Sequence, residues 1–173
     1  MSRVITFGEI MGRIAPDGFL RFSQCLPGHL QMTFAGAEAN VAASIACLGG
    51  EAAFVTALPR NSIADACIAN LRGLGIDTGH IVRTDSGRLG LYFLETGANQ
   101  RAGNVIYDRA GSAVSLTPWE KYPWKEIFEN SHWFHVTGIT PALSRLAAET
   151  TLAAVREAKA QRLHVSCDLN FRK

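Results

Sequence analysis

Residues 35–58 read Ala35-Gly36-Ala37-Glu38-Ala39-Asn40-Val41-Ala42-Ala43-Ser44-Ile45-Ala46-Cys47-Leu48-Gly49-Gly50-Glu51-Ala52-Ala53-Phe54-Val55-Thr56-Ala57-Leu58. Within Ala37 to Leu48, the residues Val41, Ser44, Ile45 and Leu48 recur three and four apart, which predicts a helix with this set as one face. Gly49-Gly50 supplies a left-handed stop. Ala52 to Leu58 is then an apolar run of strand length, too short for a second helix. A helix that opens on small residues and hands over to a buried-type strand is half of a strand-helix-strand unit.

The same unit recurs on both sides. Upstream, Val4-Ile5-Thr6-Phe7 followed by Gly8-Glu9 reads as a short buried strand whose C-terminal end opens a site. Downstream, Asn61-Ser62 with Asp65 resembles a variant capping box, Ile63, Cys67, Ile68 and Leu71 form an apolar face, Gly75 closes the helix, and a strand fits His80 to Arg83. Such alternation predicts a parallel sheet with helices packed on it.

From Arg88 the rhythm changes. Leu89 to Glu95 and Gly103 to Arg109, separated by Thr96 to Ala102, predict an antiparallel hairpin inserted into the pattern. Residues 13–34 are irregular and rich in Gly and Pro, and are expected to pair with this hairpin as a small lid sheet. The inserted segments are then about 11–34 and 88–110 of a single domain spanning 1–173. After the hairpin, Thr117-Pro118-Trp119-Glu120 marks a helix start, and His132 to Thr137 is a buried-type strand ending at Gly138. A helix from about Ser144 to Gln161, with Leu146, Thr150, Ala153, Ala154 and Ala158 on one face, leads into a strand over Leu163 to Leu169. Lys173 follows almost at once. A buried strand in such a sheet is normally covered by a further helix, so the expected domain is incomplete at its C-terminus.

Composition narrows the function. The chain has 173 residues, 47% apolar and 18% charged, which suits one globular domain with a sizeable core. A net charge of +2 with no basic stripe argues against a nucleic-acid partner. Cys25, Cys47, Cys67 and Cys167 form no Cys-x-x-Cys pair and read as reduced, buried hydrophobes. With no signal-like N-terminus and no apolar stretch of membrane-spanning length, the expected location is cytoplasmic.

In an open parallel sheet, ligands bind beyond the carboxyl ends of the strands, which leaves three places to weigh. At Ala35 to Val41, small residues at a helix start let a ligand approach backbone N–H groups, with Asn40 adding a donor and an acceptor; an ordinary helix cap fits equally well. In the hairpin, Tyr107 and Arg109 lie two apart and so share a strand face, with Tyr92 opposite. An arginine there can clamp a carboxylate while a tyrosine hydroxyl orients a neighbouring oxygen. From spacing alone, a solvated arginine beside strand-favouring aromatics fits better. At the last strand, Asp168, Asn170 and Arg172 share a face if the chain stays extended, suiting a sugar hydroxyl and a transferring phosphoryl group, or else a structural Asp–Arg pair. The sequence has no P-loop, no Gly-x-Gly-x-x-Gly after its first strand, no Gly-x-Ser-x-Gly elbow and no His-Glu-x-x-His.

Taken in order, Val4-Ile5-Thr6-Phe7-Gly8-Glu9, Ala35 to Ala42 with Leu48-Gly49, Gly90 to Glu95, Tyr107-Asp108-Arg109-Ala110, Gly138 to Leu143 and Cys167 to Arg172 resemble the ribokinase-like (PfkB) carbohydrate kinases, most nearly those acting on 2-keto-3-deoxygluconate. The resemblance implies a Rossmann-like three-layer α/β fold with a β-sheet lid. It implies an enzyme that uses ATP and Mg2+ to phosphorylate the terminal hydroxyl of the keto-deoxy acid, and pairing of two chains through the lid. By matching motif, Gly36, Asn40, Tyr92, Tyr107, Arg109, Ile139 and Arg172 are implied to line the substrate pocket, with Arg109 and Arg172 the implied partners of ligand charge; the alternation of the last strand adds Asp168 and Asn170 as substrate candidates and Arg172 as the stabiliser of phosphoryl charge. Ala35 departs from the usual Gly-Gly pair and Phe171 from a common tyrosine. The Gly-Ala-Gly-Asp segment that carries the family's general base lies beyond Lys173, as do most nucleotide and metal contacts. The chain as it stands is therefore expected not to turn over. Two other readings remain: a kinase of a neutral sugar such as fructose or ribose, and a non-catalytic truncated binding module.

Overall fold

The computed structural model describes residues 3–171, and its central sheet starts from the apolar run at the N-terminus. The strands are β1 (Arg3–Phe7), β2 (Met11–Ala15), β3 (Gln31–Ala35), β4 (Ala52–Val55), β5 (Ala57–Pro59), β6 (Val82–Thr84), β7 (Gly90–Glu95), β8 (Asn104–Asp108), β9 (Ser131–Thr137) and β10 (His164–Asp168). The helices are α1 (Phe22–Cys25), α2 (Ala37–Cys47), α3 (Ser62–Gly73), α4 (Ala113–Leu116), α5 (Trp124–Ile127) and α6 (Arg145–Ala160). The central sheet has the order β10-β9-β1-β4, and every pair in it is parallel.

Period-two alternation divides the core into two halves. Ile5 and Phe7 of β1, Ala53 and Val55 of β4, and Phe134 and Val136 of β9 pack with Trp124, Ile127, Ala154 and Ala158 from α5 and α6. Ala52 and Phe54, from the opposite face of β4, pack with Ala39 and Ala42 of α2 and with Ala64, Cys67, Ile68 and Leu71 of α3. Helices therefore cover both faces, giving three layers. On the first face Phe7 meets Tyr122 and Trp124 edge-on, with ring centroids 5.5 and 5.2 Å apart, and Trp124 stacks on Phe128 at 5.6 Å. Each such pair adds about 0.5–1.5 kcal/mol beyond the area it buries.

The inserted hairpin is β7 and β8, antiparallel, with Tyr92 directly opposite Tyr107. Strand β2 lies parallel to β7 and antiparallel to β3, so the irregular early segment and the hairpin make one four-stranded sheet of order β3-β2-β7-β8.

Several local expectations are corrected. The buried face of α2 is Glu38, Ala39 and Ala42, not the larger set, and Leu48 is 88% exposed. A helix laid across β1 and β4 must come close to the sheet, and alanines permit that approach where branched chains would hold it off. The apolar run over Ala52 to Leu58 breaks at Thr56, and β5 leaves to pair with β6. The cap of α3 is Asn61, whose side chain accepts from Ala64 N at 2.9 Å; Ile63 is exposed while Cys67, Ile68 and Leu71 are buried. In α6 the buried stripe is Ala147, Thr150, Thr151, Ala154 and Ala158, and Leu146 turns outward. Ser144 caps that helix by accepting from Ala147 N at 3.0 Å. The helix start expected at Thr117 is a single 3-10 turn over Trp119–Lys121. Of the cysteines only Cys67 is buried, and Cys47 and Cys167 are exposed. Among the described residues no helix is long and apolar enough to cross a membrane.

Candidate functional site

Beyond the carboxyl ends of β1, β9 and β10, two clefts adjoin and share Arg109, Ile139 and Asn170. The first, of about 400 Å³, is walled by Glu9 after β1, by Gly36, Glu38 and Asn40 at the start of α2, by Tyr92 and Tyr107 from the hairpin, and by Arg109 just past β8. The second, of about 530 Å³, runs past Gly111, Ser115, Gly138 and Leu143. Both lie where an open parallel sheet places its ligands.

Of the residues singled out from the sequence, Gly36, Asn40, Tyr92, Tyr107, Arg109, Ile139 and Asn170 line the first cleft together. Asp168 lines neither. Its carboxylate accepts from the Asn170 backbone N–H at 2.8 Å and from Asn170 Nδ2 at 3.1 Å. Asn170 has a φ of +50°, so the strand ends at Asp168 and the extended trio of Asp168, Asn170 and Arg172 does not form over the described residues. Arg172 lies outside them.

Tyr92 and Tyr107 meet across the hairpin with centroids 6.0 Å apart, and the Arg109 guanidinium carbon lies 5.4 Å from the Tyr107 ring centre. Burial pushes the Tyr92 phenol up from its ordinary value, with the Arg13 charge pulling the other way. Gly36 is required by contact: a Cβ there would lie 2.2 Å from the Glu9 carbonyl oxygen.

Two carboxylates escaped the sequence reading. Glu9 is buried and accepts from Arg109 Nη2. Burial pushes its carboxyl up, against the pull of Ser112 and of the Arg109 charge, and Glu38 adds a push in the same direction. Glu38, 1% exposed, accepts from Thr137 Oγ1 at 2.6 Å and from Thr140 Oγ1 at 2.9 Å, tying the start of α2 to the end of β9 and the 3-10 turn after it. The available signal was an acidic residue standing in an otherwise apolar or small-residue run.

The arrangement can hold a small polyhydroxylated anion. It presents aromatic faces, the Asn40 amide and one guanidinium whose Nε–H is out of solvent without a partner.

Known proteins are similar to this chain in sequence and in fold. A 2-dehydro-3-deoxygalactonokinase of Haloferax volcanii is 34% identical over 171 residues, 99% of this chain and 52% of that protein. The crystal structure of a 2-dehydro-3-deoxygluconokinase from Thermotoga maritima superposes with a TM-score of 0.95 at 44% identity, covering 99% of this chain and 52% of the other. A fructokinase from Xylella fastidiosa, crystallised with bound ATP, superposes with a TM-score of 0.84 at 28% identity, covering 98% and 49%. The chain thus spans about half the length of the curated relatives it matches. With the family model for pfkB family carbohydrate kinases matched over residues 1–173, the chain belongs to that family.

Proposed function

We propose that the whole protein is a kinase transferring a phosphoryl group from ATP to the terminal hydroxyl of 2-keto-3-deoxygluconate or a related sugar acid, and that this chain carries the acceptor site. The observation that carries the reading is Arg109 in a sugar-sized cleft beside Tyr92, Tyr107 and Asn40. A guanidinium there can give a carboxylate two parallel hydrogen bonds between opposite charges, which a neutral sugar cannot match. The names of the Haloferax and Thermotoga proteins, both kinases of 2-dehydro-3-deoxy acids, support the same substrate class.

In this reading Tyr92 and Tyr107 flank the sugar, the backbone at Gly36 and the Asn40 amide take its hydroxyls, and the wall shared by the two clefts faces the phosphoryl group. Asp168 acts by holding the turn at Asn170. Arg172 is proposed to offset phosphoryl charge. ATP is the donor that the family implies. Among the described residues no group of three His, Cys, Asp or Glu side chains is placed to hold the implied Mg2+. The sheet of β2, β3, β7 and β8 is the proposed lid. Ile106, on its outer strand and on the face turned away from the cleft, is exposed, and we read that face as one through which two chains pair.

A neutral-sugar reading has one observation in its favour: the Arg109 charge is already met by Glu9. Calorimetry separates the two. The acid should bind at least about tenfold more tightly than the 3-deoxyhexulose bearing a hydroxymethyl group in place of the carboxylate. Arg109→Leu should erase that preference. Equal binding of both compounds by the wild-type chain would overturn the acid reading.

A further inference from the structure

Resting on the sugar-acid reading of the cleft, we propose that Glu9 is a specificity-determining residue: it shares the Arg109 guanidinium with the incoming carboxylate, and its charge limits how strongly the cleft prefers an acid over a neutral sugar.

Glu9 follows the first strand and Arg109 follows the hairpin, 100 residues later, yet the two side chains form an ion pair at the cleft wall. The pair is unequal. The Glu9 side chain is 2% exposed and that of Arg109 is 22% exposed. Glu9 is also boxed in by backbone. A Cβ at Gly36 would fall 2.2 Å from its carbonyl oxygen, and one at Gly90 would fall 2.9 Å from its Oε1. Its backbone thus lies against Gly36 and its Oε1 against Gly90, which places the carboxylate at the cleft wall. Glu38, the neighbouring acid, takes hydrogen bonds from Thr137 and Thr140, so Glu9 is the carboxylate that meets Arg109.

A guanidinium carries five N–H groups, and Glu9 occupies part of one Nη. The part of the Arg109 side chain that stays exposed lies on the cleft wall, so N–H groups that Glu9 does not take remain for a ligand. A ligand carboxylate bound to the same guanidinium lies within several ångströms of the Glu9 carboxylate. Two like charges at that separation in a part-buried site repel enough to cost tenfold or more in affinity. A neutral sugar in the same cleft escapes this cost.

Glu9→Gln separates charge from geometry, because the amide oxygen can still accept from Arg109 while the negative charge is gone. The variant should bind the sugar acid about tenfold or more tightly than the wild-type chain does, and the neutral 3-deoxyhexulose within about twofold of wild type. Unchanged or weaker acid binding would show Glu9 to be a structural or orienting residue and would overturn the proposal. Absence of any acid preference in the wild-type chain would instead strike the sugar-acid reading itself.

A second measurement needs no variant. Arg109, Glu38 and the Ser112 hydroxyl are the groups that face Glu9. By reciprocal linkage, saturating the wild-type chain with the sugar acid should raise the carbon-detected NMR titration midpoint of Glu9 by about one unit or more, while the neutral analogue leaves it in place. A midpoint indifferent to the acid overturns the proposal even if Glu9→Gln fails to fold.

Discussion

The hydroxyl of Thr137 donates to the carboxylate of Glu38 at 2.6 Å, joining the last residue of β9 to the first turn of α2 across 99 positions of sequence. Thr137 is 2% exposed and Thr140, the second donor, is fully buried, so neither bond can be replaced by water. Removing one donor leaves part of a buried carboxylate unmet, and that cost exceeds the net worth of an ordinary hydrogen bond. Thr137→Val, close in shape, should lower unfolding free energy by about 1–3 kcal/mol in urea titrations, and Thr137→Ser should cost less. A valine variant as stable as wild type would refute this.

Gly8 sits against the same carboxylate. A Cβ at this position would fall 2.1 Å from the Glu38 carboxyl carbon. The hydrogen bonds to Thr137 and Thr140 prevent that side chain from yielding, so Gly8→Ala should cost about 1–3 kcal/mol through overpacking. In a Glu38→Ala background the space is clear and the penalty should shrink. Equal penalties in the two backgrounds would show that the clash is not with Glu38.

Glu9 predicts a direction of pH dependence. Folding raises its carboxyl above the ordinary 4.5, chiefly by burial, so the folded chain holds that proton more tightly than the unfolded chain does. The associated stability is fully present below 4.5 and is lost as pH rises through the raised value. The difference in stability, wild type minus Glu9→Gln, should therefore fall as pH rises from 4.5 and then level off. A difference that climbs over the same interval would contradict the burial effect.

The cysteines should separate by reactivity. Burial pushes the Cys67 thiol up to about 12, while Cys47 and Cys167 are exposed. With a thiol reagent near pH 8, Cys47 and Cys167 should label rapidly and Cys67 only after denaturant is added. Labelling of Cys67 in the folded chain at the rate of the exposed thiols would show that the α3 face opens readily.

Much of the architecture was legible along the chain. Val4 to Phe7, Ala37 to Leu48, Leu89 to Glu95 and Ser144 to Gln161 carry their period in a single window, and each element lies there within a few residues. The helix faces were less legible, because the apolar set Val41, Ile45 and Leu48 looks like a core face while the sheet takes Ala39 and Ala42. Hydrophobicity alone favours the larger residues; the short distance between α2 and the sheet favours the smaller ones.

The site divided in the same way. Tyr107 and Arg109 could be paired by strand spacing, and Gly36 and Asn40 by their position at a helix start. Glu9 is absent from any such local pattern, because its partner lies on another sheet, 100 residues away. Asn170 likewise needed coordinates, since its left-handed backbone is held by the Asp168 carboxylate, and that turns the chain out of the extended path its alternation suggested.

By itself, then, the sequence determined the order and type of most elements and the inserted hairpin, because periodicity and turn chemistry are short-range properties, and it pointed to about half of the residues on the wall of the first cleft. Only the tertiary structure decided which charge meets which. Glu9 with Arg109 and Glu38 with Thr137 and Thr140 are contacts across 99 to 102 residues, and what a buried carboxylate does depends on the groups that folding places around it.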